Sequence, residues 1–202
     1  MSTDEAQTKL RDGNRRFLEN RSLHPHQTPE RRKEISDAQH PFAAILTCSD
    51  SRVVPEIIFD QGLGDLFVLR VAGNIVDDAI LETLEYGAAH LKVSLIVVLG
   101  HTRCGAVTAV VAGAFPAGHM RALVDAIAPA VDTSRGNPGD PVENAARQNV
   151  ILQVERLRQS RPTLVELHEA RQLHIVGAMY NIETGVVEWL PRKKSESDPA
   201  SA

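Results

Sequence analysis

With 202 residues, of which 43% are hydrophobic and 24% charged, the chain is long enough for one well-buried domain and too apolar to be disordered. Lys and Arg number 22 against 26 Asp and Glu, for a net charge of −4, a balance that gives no basis for binding nucleic acid or an anionic membrane. No apolar run approaches the roughly twenty residues that a membrane helix requires. The start, Met1-Ser2-Thr3-Asp4-Glu5, is acidic and polar with none of the apolar core of a signal peptide, so a cytoplasmic protein with reduced thiols is expected.

In chain order, the pattern opens on an N-terminal helical arm, 1–37, whose early helix carries Leu10, Phe17 and Leu18 and precedes the first core strand. The basic run Arg31-Arg32-Lys33 reads as a solvated helix face. Apolar runs without clean alternation, as in parallel strands covered on both faces, predict strands near 42–47, 66–71, 94–100 and 173–179. A turn at Asn181-Ile182-Glu183-Thr184-Gly185 leads into an antiparallel edge strand at 185–190.

Helices fall between these strands. Asp77 or Asp78 can cap one whose Ile80, Leu84, Ala88 and Leu91 form an apolar stripe, and another carries Val150, Val154 and Leu157. Residues 132–140 read as a loop between helices, and 191–202 as a flexible polar tail. The fold class is therefore α/β: one domain over 1–202 with a mostly parallel four-stranded sheet, an added antiparallel edge strand and flanking helices.

Both cysteines of the chain lie in short runs just past predicted strands: Cys48-Ser49-Asp50-Ser51-Arg52 and His101-Thr102-Arg103-Cys104. Ligands gather beyond the carboxyl ends of strands in open α/β sheets. Cys48 and Asp50, two apart in extended chain, project the same way. His101 and Cys104, three apart, suit a last strand residue and the start of the following helix. Thiolate, imidazole and carboxylate are zinc ligands. With Cys48, Asp50, His101 and Cys104 all bound the site is closed and structural; with Asp50 turned away, three ligands leave a fourth position for water. Arg52 can hold Asp50 bidentately and so act as gate and orienting group. A disulfide is the weaker alternative in a reducing compartment.

The two runs, with Gly13-Asn14-Arg15-Arg16-Phe17, Ile57 to Asp65, Arg70-Val71-Ala72-Gly73-Asn74 and Tyr180, resemble the β-class carbonic anhydrases over nearly the whole chain. The resemblance implies a zinc lyase, with one Zn2+ per chain, interconverting carbon dioxide and bicarbonate. Cys48, His101 and Cys104 would be permanent ligands, and the Asp50–Arg52 dyad would orient hydroxide held on the zinc. Two thiolates should leave that water somewhat more alkaline than neutral ligands would. Gln39, Phe67 and Tyr86 match pocket positions, and Gly105 matches a backbone N–H facing the site; in relatives some of these come from a neighbouring subunit, so a homodimer or tetramer is expected. Arg70 and Tyr180 match two positions of an inhibitory bicarbonate site found in some relatives, but Ile45 stands where its tryptophan would be, which speaks against that site.

Two other readings compete. A zinc-stabilised binding protein would keep Asp50 on the metal and needs neither Arg52, Gln39 nor Gly105. An enzyme hydrolysing a carbon dioxide analogue, carbon disulfide or carbonyl sulfide, would share the scaffold and differ in access to the site.

Overall fold

The computed structural model describes residues 1–114 and 120–191; the tail expected at 191–202 lies, past Pro191, outside the described residues. Five strands form one sheet: β1 (Ala43–Thr47), β2 (Leu66–Arg70), β3 (Leu95–His101), β4 (His174–Tyr180) and β5 (Val187–Trp189). Their order is β2-β1-β3-β4-β5, with the first four parallel and β5 antiparallel to β4. This is the expected architecture. Every residue of β1 and β3 is buried, which is why both read as unbroken apolar runs.

Alternation along these strands splits the core in two. Ala44, Leu46, Ile96 and Val98 face one cluster, beneath α4 (Asp78–Ala89), α5 (Gly105–Val111), α6 (Arg121–Ser134), α7 (Pro141–Arg158) and α8 (Thr163–Glu169). Ala43, Ile45, Val97 and Leu99 face the other, with Ala6 and Leu10 of α1 (Thr3–Leu18) and Ile58 of α3 (Pro55–Ile58). The arm, whose second helix is α2 (Pro29–Glu34), thus covers the sheet of its own chain. Asn14 fastens it there, donating from Nδ2 to the carbonyls of Ile58 and Gly185 and accepting from Val187 N. Ala6 and Leu10 are fully buried within the one chain, whereas Leu18 stays exposed. Arg31, in the basic run, turns back to the Leu63 carbonyl.

The loop expected at 132–140 is shorter than the sequence suggested. Helix α6 continues through Ser134, because its buried stripe of Ile127, Ala130 and Ser134 holds it against the core, and it stops only before Gly136, at φ 84°. Asp77, of the two candidates, caps α4 by accepting from Ile80 N. Helix α7 buries Val150, Val154 and Leu157 as expected. It lies close over the sheet because Gly100 has no side chain: a Cβ there would come within 2.4 Å of a Val150 methyl and 2.8 Å of the Met179 sulfur.

Candidate metal centre

Strand order decides where a site can form. From β1 the chain moves outward to β2 on one side, then crosses to β3 on the other, so the reversal point lies between the carboxyl ends of β1 and β3. Crevices form at such points. Thr47 locks the two strands, donating from Oγ1 to the Leu99 carbonyl at 2.8 Å. Cys48 follows immediately. His101 ends β3, and Cys104 stands just before α5 as its N-cap residue.

The fold brings Cys48, His101 and Cys104 together, with their three donor atoms all within 4.8 Å of one another and all three residues buried. Ligand atoms sharing a tetrahedral zinc at Zn–S distances of about 2.3 Å would lie closer than this limit. His101 is oriented for such a role. Its Nδ1 lies 2.8 Å from the Thr102 carbonyl, which fixes the proton there and leaves Nε2 as the free lone pair. That Nε2 is buried with no hydrogen-bond partner. A buried orphan nitrogen beside two sulfurs is costly unless something electrophilic completes it, and the donor set suits zinc.

The two cysteines are free thiols. The neighbouring Cys104 draws the Cys48 thiol down against the opposing effect of burial, while Cys48 and burial push Cys104 up. Burial draws His101 down, but the adjacent Cys48 sulfur and the bond to the Thr102 carbonyl outweigh this and leave it raised.

Asp50 stands at the edge of the cluster. Arg52 engages it through Nε to Oδ1 at 2.9 Å and Nη2 to Oδ2 at 2.7 Å, with the Arg52 backbone N donating to Oδ1 at 3.0 Å. The guanidinium holds Asp50 far below the usual carboxylate range. Its Oδ2 is 4.0 Å from His101 Nε2, so the carboxylate borders the position facing the ligands without joining them. Asp50 is not among the clustered donor atoms.

The other expected positions are not assembled here. Phe67 pairs in register with Ala44, four residues before Cys48 and roughly 13 Å down the sheet from it at a strand's rise per residue. Tyr86, 47% exposed, lies beside Phe67 with ring centroids 6.3 Å apart and stacks on His90. Gln39 is exposed in the segment before β1, and Gly105 is exposed at the start of α5. Within one chain, Phe67 and Tyr86 form a pair away from the cysteines.

Two supports went unrecognised in the sequence. Arg70 donates to the Asp50 carbonyl at 2.6 Å and the Cys48 carbonyl at 3.3 Å, clamping the first run's main chain; its place at the end of β2, beside Cys48, was the available signal. Gly73, at φ 67°, donates its N–H to Cys48 Sγ at 3.3 Å.

The carbonic anhydrase family model matches residues 43–187. Curated relatives include a carbonic anhydrase of Mycolicibacterium smegmatis, 42% identical over 89% of each chain, and carbonic anhydrase 2 of Mycobacterium tuberculosis, 41% identical over 87% of each. Among solved structures, the β-carbonic anhydrase CcaA superposes with a TM-score of 0.72 at 27% identity, covering 91% of this chain and 94% of its own. A tetrameric β-carbonic anhydrase of Sordaria macrospora gives 0.71 at 27% identity, covering 91% of this chain and 96% of its own. A matched family model spanning both cysteine runs, relatives alike along most of their length and the shared sheet together place this chain in the β-class carbonic anhydrase family.

Proposed function

We infer that the protein catalyses the zinc-dependent, reversible hydration of carbon dioxide to bicarbonate and a proton, with one zinc per chain held by Cys48, His101 and Cys104. The observation that carries this reading is the partnerless His101 Nε2, buried between two sulfurs and bordered by an Asp50 that Arg52 keeps ionised. Zinc, when bound, would lower the pKa of a water toward neutrality and so supply a nucleophile at physiological pH. Asp50, a hydrogen-bond acceptor at the edge of the cluster, would orient such a nucleophile toward the carbon of carbon dioxide. Arg52 keeps Asp50 anionic and off the metal, since both carboxylate oxygens are committed to it. Preorganisation of this kind is most of what the reaction asks, because attack on a small neutral substrate requires chiefly positioning.

Gln39, Phe67 and Tyr86 enter the same reading as pocket residues contributed across a subunit interface, with Gly105 offering its backbone N–H. Self-association as a dimer or tetramer and a cytoplasmic setting belong to it as well. Among the described residues, no helix is long and apolar enough to cross a membrane.

Initial rates of carbon dioxide hydration, followed by stopped flow with a pH indicator on zinc-loaded protein from about pH 6.5 to 9, test the proposal. A zinc-dependent rate that rises with pH is expected. No hydration even at the alkaline end, with zinc bound, would remove the activity and leave a structural metal or an analogue hydrolase.

A further inference from the structure

Helix α7 buries two amides, Asn149 at 0% exposure and Gln153 at 3%, on the same face as Val150, Val154 and Leu157. Polar side chains are buried at this depth only when their hydrogen bonds are met, and here the partners form a single chain of contacts. Asn149 Nδ2 donates to the Gly73 carbonyl at 2.8 Å. Gln153 Nε2 donates to Asn149 Oδ1 at 3.0 Å, which fixes the Asn149 amide with its NH2 toward Gly73. The Gln153 Oε1 in turn accepts from Val76 N at 2.9 Å. Both ends of the Gly73–Val76 turn are thereby tied to α7.

That turn is an unfavourable one. Gly73 at φ 67° and Asn74 at φ 44° are consecutive left-handed residues; such backbone persists only where its surroundings over-determine it. Its product is the Gly73 N–H directed at Cys48 Sγ. A side chain at Gly73 would be strained at that φ and would come within 2.6 Å of Ile127 Cδ1.

We propose that Asn149 and Gln153 are positioning residues for the metal centre, holding the turn at the Gly73 carbonyl and at Val76 N so that the Gly73 N–H, on the peptide just before, hydrogen-bonds the Cys48 thiolate and sets that ligand's direction and donor strength. The inference rests on Cys48 being a metal ligand. Neither amide touches the cluster; both act through the turn. Partners of this outer kind commonly alter metal affinity by about 10–100-fold when removed.

The test compares Asn149→Asp, nearly the same shape but without the donor, Gln153→Glu, which keeps the acceptor for Val76 N and loses the donor to Asn149, and Leu157→Ala, a core truncation in the same helix. Each full-length protein is loaded with zinc and its dissociation constant measured by chelator competition; the cobalt-substituted forms are compared by their thiolate-to-metal charge-transfer band. Asn149→Asp is expected to weaken zinc by about 10-fold or more and shift the band, with Gln153→Glu following more weakly, while Leu157→Ala lowers the melting temperature with affinity and band unchanged. Wild-type affinity and spectrum in a folded Asn149→Asp protein would overturn the proposal, as would equal losses in Leu157→Ala. Should Asn149→Asp fail to fold, Gln153→Glu decides on the same readouts, and collapse of both overturns it by assigning the amides to folding alone. A wild-type chain that binds no zinc is a different result, striking at the ligand assignment itself.

Discussion

The two runs that meet at the metal centre are held in different ways. His101 to Cys104 is carried by main chain: His101 pairs with Tyr180 across the sheet, Thr102 N donates to the Tyr180 carbonyl, Arg103 N reaches the Glu143 carboxylate, and α5 begins just past Cys104. Cys48 to Arg52 lies just past the end of β1 and depends more on individual side chains, with Arg70 on its carbonyls and Arg52 on Asp50, besides the Gly73 backbone N–H on its sulfur. The contrast suits the chemistry. In the proposed reading the second run supplies two ligands that must not move, and the first supplies one ligand plus the carboxylate that orients the nucleophile. A segment fixed by side chains is also the more easily broken by single substitutions.

The largest effect is expected where the runs converge. Cys48→Ser or His101→Ala should abolish stoichiometric zinc, read by metal analysis, and lower the melting temperature with it, since binding free energy is part of the folded state's stability. Zinc retained at one per chain in His101→Ala would remove it from the ligand set. Next comes Asp50→Asn, which keeps zinc and the backbone bonds of the first run but loses the anionic acceptor; a fall in kcat of about 10²–10⁴-fold is expected from a missing proton-handling group, and full turnover would take Asp50 out of the mechanism.

Smaller again is the direct comparison of supports. Arg70→Ala removes both carbonyl bonds of the first run and should destabilise by about 1 kcal/mol, the modest figure reflecting the exposed side chain, and it should also weaken zinc. Thr102→Val in the second run deletes only the bond that Ile182 N donates to Thr102 Oγ1; its effect on zinc affinity should be negligible. Equal losses in the two variants would erase the distinction between the runs.

The smallest effect lies on the acid side. Asp60, just after the first run, is raised by burial but drawn down further by the backbone N–H groups of Leu23 and His24 and by Arg16, leaving it below its ordinary value. A depressed folded-state pKa adds stability that is whole above the unfolded value of about 4 and drains away as pH falls through the folded one. Melting temperatures should therefore be nearly level from neutrality to about pH 5 and decline only below about pH 4. A decline that begins above pH 5 would point to a different titrating group.

Much of this was legible in the chain. Strands β1 and β3 are buried on both faces, so their apolar runs stand out without alternation, and the reactive residues follow them directly. The Asp50–Arg52 pair was legible because the two are separated by one residue and need no tertiary context to meet. Less legible was anything joined through space. Arg70 looks like a surface charge until β2 pairs beside β1, and Asn149 and Gln153 look like ordinary helix surface until α7 turns that face inward. Two amides at i and i+4 among Val150, Val154 and Leu157 were a signal that such a face carries polar work. Phe67 and Tyr86 were expected at the pocket through family resemblance, and a single chain instead pairs them with each other. The end of α6 was misplaced because Asp132, Thr133 and Ser134 are poor helix formers by propensity, and packing of Ile127, Ala130 and Ser134 overrode it.

Thr47 and Leu99, whose bond locks the centre of the sheet, are 52 residues apart in the chain. Bringing segments so far apart together carries the entropy cost of closing the intervening loop. Cys48 and His101 lie one and two residues beyond this pair, so a zinc held between them would tie the same two strands a second time, past the end of their hydrogen-bond ladder, and its binding free energy would add to the stability of the folded sheet.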